Sequence, residues 1–291
     1  MATAQSATTA PVPPFDQVTR RIHEISTLPQ VAMRVMQVAN SPSAGAGELK
    51  EVMEYDPALC TRVLRCVNSS AYATRVRITN LQQAIAYLGI RQIRNLALTA
   101  SISNLFKQQH TTGTYNRTSL WRHLVAAGIC SRMIAMRCRL ASFEDMFLAG
   151  LLHDVGIILE DQHLHEVFSA MVSSLSKETT LCDAERRYLG FDHTTLAEAI
   201  TKNWSFPDTV VAAVRFHHGS ANYRGPHVQV VHCVEIANFI CSIKGISSVG
   251  INLVHFPREA IERLSLTKED VVVLATDLDR EVSANESLFQ L

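Results

Sequence analysis

Residues 147–159 read FLAGLLHDVGIIL, and the only ionisable side chains in this run are His153 and Asp154. It falls short of the roughly 18–20 apolar residues that a membrane helix requires. We read it as the centre of an apolar helix over residues 143–160. A long helix is expected before it at 118–138, and others after it at 164–176, 180–189, 193–204, 207–218 and 227–243, with two more in the tail from 257. Upstream, Val31, Val35 and Val38 recur at three- and four-residue spacing behind Pro29, which suits a first helical turn. Further helices read at 47–54, 57–68, 81–88 and 91–106, and Gly89 can cap the third of these. The best strand signal, Val271–Leu274, follows Thr267 and Glu269-Asp270, which look more like a helix start. The expectation is an all-α protein.

The polar segment 108–117 (QQHTTGTYNR) separates two helical blocks, so we place an N-terminal helical lobe at 15–110 and a second helical lobe at 111–291. Residues 1–14, rich in Ala, Thr and Pro, read as a disordered leader. The chain of 291 residues carries 27 basic and 27 acidic side chains, 47% apolar residues and 19% charged ones. That balance excludes a uniformly basic nucleic-acid binder and an acidic, self-repelling disordered chain. Seven cysteines without a CxxC pair suit reduced thiols, and the N-terminus lacks the apolar core of a secretion signal. A cytoplasmic protein with no membrane segment is expected.

Ligand-type residues recur through successive helices of the second lobe. His123 lies in the first, His153-Asp154 in the apolar one, His193 behind Asp192 at the start of another, and His217-His218 closes a fourth. Antiparallel packing can bring all of them into one bundle interior. Imidazole and carboxylate suit Fe, Mn or Zn, and a bound divalent ion would activate water for attack on a phosphate ester. The bland reading of His153-Asp154 is a hydrogen bond between helices, and that of His217-His218 is a helix C-terminus capped by Gly219. His163, His165, His227, His232 and His255 read as surface or packing residues.

The first lobe contains LPQVAMRVMQVANSP (28–42), EVMEYDPALCTRVLRCVNSSAY (51–72) and ITNLQQAIAYLGIRQIRNLAL (78–98). With Asp56-Pro57, the Asn68-Ser69 turn and AIxxLG ending at Gly89, these resemble the HDOD family, output-type relatives of the HD-domain phosphohydrolases. LAGLLHDVGIIL, FDHTTLAEAITKNWSFPDTVVAAVRFHH (191–218) and VHCVEIANFI (231–240) extend the likeness, which runs from about residue 20 to 280. The resemblance implies an HD-like helical bundle as the second lobe and a bacterial signalling role, in stress, motility or cyclic-di-GMP circuits, usually without catalysis. His123, His153, Asp154, His193, His217 and His218 fall where catalytic relatives hold metal. Their final Asp aligns with Asn238, and the Lys of their HDxGK pattern is Ile157 here, which cannot neutralise phosphate charge. The GYP element is absent. The likeness therefore implies a degenerate metal site, with no catalytic residue assigned and no cofactor required.

Counting charges along the chain changes the picture of neutrality. Residues 57–143 hold twelve Arg or Lys and no acid, while residues 1–56 sum to −2 and residues 144–291 to −10. Basic helices can pack beside acidic ones, or they can recruit an anionic partner. For Arg62, Arg65, Arg91 and Arg94, paired at i,i+3, we expect a docking face for signalling proteins with acidic surfaces. Three function readings follow: a non-catalytic regulatory module, a metal-dependent phosphohydrolase or phosphodiesterase, and a nucleotide or nucleic-acid sensor using residues 57–143. No RNP aromatics or zinc-finger spacing accompany the basic residues, so nucleic acid ranks below protein.

Overall fold

The computed structural model describes residues 12–290 apart from 26, 27, 42, 44, 142, 177 and 252, so most of the expected leader lies outside the described residues. The all-α expectation holds. The first part of the chain folds as α1 (Phe15–Ile25), α2 (Gln30–Asn40), α3 (Ala46–Glu54), α4 (Pro57–Val67), α5 (Leu81–Leu88) and α6 (Ile90–Ile102). Local chemistry sets these boundaries. Asp56 accepts the Leu59 N–H at 2.9 Å and Pro57 takes the first turn of α4. The Asn68 side chain bonds the backbone of Ile78 in both directions, which ties down the loop between α4 and α5. Gly89, at φ +82°, closes α5 and lets α6 start at the next residue.

Residues 111–116, expected as plain connector, form a small antiparallel hairpin of β1 (Thr111–Thr112) and β2 (Tyr115–Asn116), with Gly113 at φ +55° in its turn. The second part follows as α7 (Arg117–Arg137), α8 (Phe143–Leu152), α9 (Val155–His163), α10 (His165–Ser173), α11 (Leu181–Leu189), α12 (His193–Asn203) and α13 (Asp208–Phe216). It ends with α14 (Val228–Ile243), α15 (Arg258–Arg263) and α16 (Lys268–Ala284). Val271–Leu274 lies inside α16, which opens with the capping box of Thr267 and Asp270. Helix α7 is buried along most of its length and packs against α8, α14 and α16, so it forms the axis of this bundle. It meets α8 backbone to backbone: a Cβ on Gly150 would stand 2.6 Å from the Ala127 carbonyl oxygen.

The two lobes exchange their ends. Phe15, Val18 and Ile22 share one face of α1, which packs on α9 and α12, with Phe15 edge-on to Phe191 at 5.0 Å. The turn at Glu286–Leu288 packs back on α4 and α6. The expected helix over 143–160 is broken at the His-Asp pair. Adjacent residues of an unbroken helix point about 100° apart, whereas the break lets His153 and Asp154 face one interior.

The α6–α8 contact corrects the expectation for Arg94. Its side chain is buried and donates to Asp145 at 2.8 Å and Asn40 at 3.0 Å, so it joins the lobes and is closed to a partner. Exposed Arg91 reaches the same Asp145 at 3.8 Å, and Asn95 donates to the Glu144 backbone and carboxylate at 2.8 Å. In these places basic helix meets acidic helix, as at Arg117–Asp161 and Arg137–Asp270. Arg62 bonds Ser103 and Asn104, and Arg65 is exposed.

Helices α9 and α12 approach so closely that a Cβ on Gly156 would lie 2.1 Å from the His193 carbonyl oxygen. Gly156→Ala is therefore expected to lower stability by about 3 kcal/mol, the upper range of overpacking costs. An unchanged urea midpoint at constant m-value would show that this approach is not rigid.

Candidate metal centre

The break between α8 and α9 places Asp154, 1% exposed, at the centre of four imidazoles from four directions. Its Oδ2 lies 3.5 Å from His123 Nε2 of α7 and 3.3 Å from His153 Nε2. Its Oδ1 lies 3.2 Å from His193 Nε2 of α12 and 3.0 Å from His217 Nε2 at the end of α13. His218 is the exposed neighbour, its ring centroid 4.2 Å from that of His217. All six residues of the expected metal set therefore meet. They form two groups that share one carboxylate: His123 and His153 on one side, His193, His217 and His218 on the other.

The opposite ring nitrogens explain why the Nε2 atoms face inward. Nδ1 of His123 lies 2.6 Å from the Ile246 carbonyl oxygen, that of His153 2.7 Å from Gly150, and that of His217 2.9 Å from Val214. A carbonyl only accepts, so each Nδ1 carries the proton and each Nε2 presents a lone pair. Nδ1 of His193 instead donates to Glu185 at 2.7 Å, an arrangement of carboxylate and imidazole that raises the basicity of a metal ligand. Glu185 also accepts the His193 backbone N–H at 3.0 Å, satisfying a donor that the start of α12 leaves open.

Burial pushes the pKa of His123 and of His217 down to about 4, so both rings are neutral at pH 7. Burial works against the Asp154 charge, but the carboxyl is held well below the usual range, with a hydrogen bond from His193. His193 runs the other way: burial opposes its protonation, yet the Glu185 carboxylate raises it well above an ordinary histidine. Burial and the Glu185 charge raise the Glu160 pKa well above the usual carboxylate range, and burial pushes the nearby Cys182 thiol up to about 12, leaving it a poor ligand at neutral pH.

These residues fit a divalent cation. His123 and His153 set Nε2 against Nε2 at 3.1 Å, two lone pairs that repel unless a cation lies between them. Metal–ligand bonds of about 2.1 Å give ligand-to-ligand edges of roughly 3.0–3.4 Å, close to the 3.0–3.5 Å separations around Asp154. Imidazole with carboxylate suits Fe, Mn or Zn.

A cavity of about 510 Å³ opens onto His217 and His218, and Arg186, Arg215, Asn222, Asn238 and His255 also line it. Both arginines already hold carboxylates, Arg186 that of Asp192 at 2.5 Å and Arg215 that of Glu198 at 3.2 Å. Asn238 accepts from Ser242 at 3.3 Å, and Ile157 is packed in the core. Gly219 has φ −161°, so the expected left-handed cap after His218 does not form.

The HDOD domain profile matches residues 25–220. The chain belongs to the HDOD family. An HDOD domain protein of unknown function from Geobacter sulfurreducens superposes with a TM-score of 0.79 at 25% identity, over 94% of this chain and 98% of that one. A candidate signal transduction protein from Marinobacter aquaeolei VT8 gives 0.73 at 23% identity, over 97% of this chain and 62% of that one. An uncharacterized protein of Treponema pallidum (strain Nichols) is 22% identical over 228 residues, and the match spans 75% of this chain and 42% of that relative. Among the described residues no helix of this HDOD chain is long and apolar enough to cross a membrane.

Sequence reasoning missed Glu185, Glu160 and the two cavity arginines. Glu185 sits eight residues before His193 in the preceding helix, and no motif marks it until the turn after α11 folds it back.

Glu185→Gln is expected to weaken divalent-metal affinity about 10–100-fold, read by competition with a chelating dye. A second outcome concerns Asp192, which caps α12 by accepting the Thr195 N–H at 2.9 Å. Burial opposes its charge, but the Thr194 and Thr195 hydroxyls depress its pKa well below the carboxylate range. A depressed carboxyl stabilises above its unfolded pKa of about 3.9 and loses that contribution as pH falls through the folded value. Asp192→Ala should therefore cost about 1–2 kcal/mol at pH 7, and the gap to wild type should narrow only below about pH 4. A gap that already closes between pH 7 and 5 would contradict this account.

Proposed function

We propose that this HDOD chain is a metal-binding regulatory module, one that holds a divalent cation at Asp154 and acts on partner proteins without turning over a phosphoester. The observation that carries the metal half is the set of four imidazoles aimed at one buried carboxylate, each ring fixed from behind. When bound, the ion supplies Lewis acidity towards an anionic oxygen ligand. The chain's own residues do the rest: Asp154 bridges the two imidazole pairs, Glu185 orients His193, and His218 stands at the cavity mouth beside Arg215.

The non-catalytic half is supported by what surrounds the cavity. Asn238 brings a neutral amide to the lining where a carboxylate would bind metal or take a proton, and Ile157, packed in the core behind the His-Asp pair, brings no charge. The two carboxylates among the described lining residues are engaged, Asp183 with Thr180 and Arg186, and Glu235 with Ser220. A signalling setting fits the family and the Marinobacter relative. For a partner face we keep Arg62 and Arg65 on α4 and, in part, Arg91. A cytoplasmic location belongs to the same proposal.

Hydrolysis is the second reading, favoured by one observation: the cavity opens onto His217 and His218 beside the guanidinium groups of Arg186 and Arg215. Elemental analysis and a panel of phosphomonoesters and phosphodiesters separate the readings. We expect bound Fe, Mn or Zn, with at least one ion per chain lost in Asp154→Ala, and wild type no faster on any substrate than this variant. Turnover that Asp154→Ala abolishes would make the chain a hydrolase, and protein isolated without metal and unable to take it up would remove both readings.

A further inference from the structure

A second constellation lies at the joint between the lobes, outside the Asp154 centre. We infer that His110, Asp161 and His165 form an independent site for a nitrogen-seeking divalent transition ion such as Zn²⁺. One ligand atom from each of the three lies within 4.8 Å of the other two. Two imidazoles with one carboxylate favour Zn, Ni, Cu or Co over Mg and Ca.

The site is built from behind, as the Asp154 centre is. Asp161 is buried, and its Oδ2 is held by Arg117 Nε at 2.5 Å and the Tyr115 hydroxyl at 2.9 Å. Its other oxygen, Oδ1, faces His165 Nδ1 at 2.9 Å. The His110 ring stands edge-on to that of His165, centroids 4.4 Å apart. The far nitrogens meet hydroxyls: His110 Nε2 lies 2.8 Å from Thr112 Oγ1 and His165 Nε2 3.4 Å from Ser169 Oγ, and these two hydroxyls lie 3.5 Å from one another. Without an ion, His165 Nδ1 donates to the Asp161 carboxylate. An ion bound there would displace that proton to Nε2, where the Ser169 hydroxyl can accept it, and Thr112 likewise holds His110 Nε2, outer contacts of the kind that fix a ligand's tautomer. Burial opposes ionisation of Asp161, but Arg117 and His165 lower its pKa, which keeps the carboxylate charged.

Access and position give the site a role. His165 is 45% exposed at its side chain and His110 is partly exposed, so an ion enters from solvent without opening the core. His110 leads into the β1–β2 hairpin, while Asp161 lies in the last turn of α9 and His165 begins α10. An ion bound to all three clamps the connector between the lobes to the second lobe. It raises the stability of the folded chain by mass action, because the unfolded chain offers no such arrangement.

The test uses the full chain, stripped with a chelator, dialysed against Zn²⁺ and measured for zinc per chain. We expect His110→Gln and His165→Gln each to hold one ion fewer than wild type, with no further loss in the double variant. Asp154→Asn should keep this ion and a Zn²⁺-dependent rise in Tm that adding His165→Gln removes. If Asp154→Asn fails to fold, His217→Gln takes its place. Unchanged zinc content in both His→Gln variants, or a Zn²⁺-dependent Tm that ignores His165, would overturn the site and leave a hydrogen-bonded cluster.

Discussion

The buried carboxylate of Asp154 is the constraint on which the second lobe is organised. Taking an ionised group out of water costs several kcal/mol unless opposite charge and hydrogen bonds replace the solvent. His193 at the start of α12 supplies such a charge and donor, and His123 on α7, His153 at the end of α8 and His217 at the end of α13 converge on the same carboxylate. Those four helix positions are thereby tied to one point. The break between α8 and α9, the close approach at Gly156 and the Asp192 cap all serve the same convergence.

Proton placement separates this cluster from an ordinary polar core. Three rings give their Nδ1 protons to backbone carbonyls, which turns their basic edges inward, while His193 donates to Glu185 on one side and faces Asp154 on the other. A hydrogen-bonded core would pair donors with acceptors. This one sets the acceptor edges of His123, His153 and His217 against an anion, a pattern that a cation completes. Chemistry beyond binding needs further charged groups at the cavity, and there Asn238 and the paired arginines Arg186 and Arg215 leave little charge in hand.

Zero net charge hides the electrostatics that join the lobes. The acid-free stretch 57–143 is met at several places by the acidic second part of the chain, at Asp145, Glu144, Asp161 and Asp270. Two of these residues lie in the first turn of α8, where a negative charge also complements the helix dipole. Arg94 illustrates the limit of reading pairs from spacing. It shares a face with Arg91, as i,i+3 residues do, and both reach Asp145 of α8, but Arg94 is buried there while Arg91 stays exposed.

Helix-forming pattern was legible because it is local: apolar spacing, Pro at first turns and capping side chains act within a few residues. The six metal-type residues were legible as types and as helix positions for the same reason. The hairpin at 111–116 escaped notice because two-residue strands carry almost no pattern, and Glu185 because its partner lies across a turn. Local pattern was therefore enough for an all-helical chain with ligand side chains on successive helices. Only the tertiary structure decided that their Nε2 atoms share one carboxylate, that His110 and His165 meet over Asp161, and that Arg94 is closed off. Those are distances between segments far apart in the chain, set by packing and desolvation that no local pattern encodes.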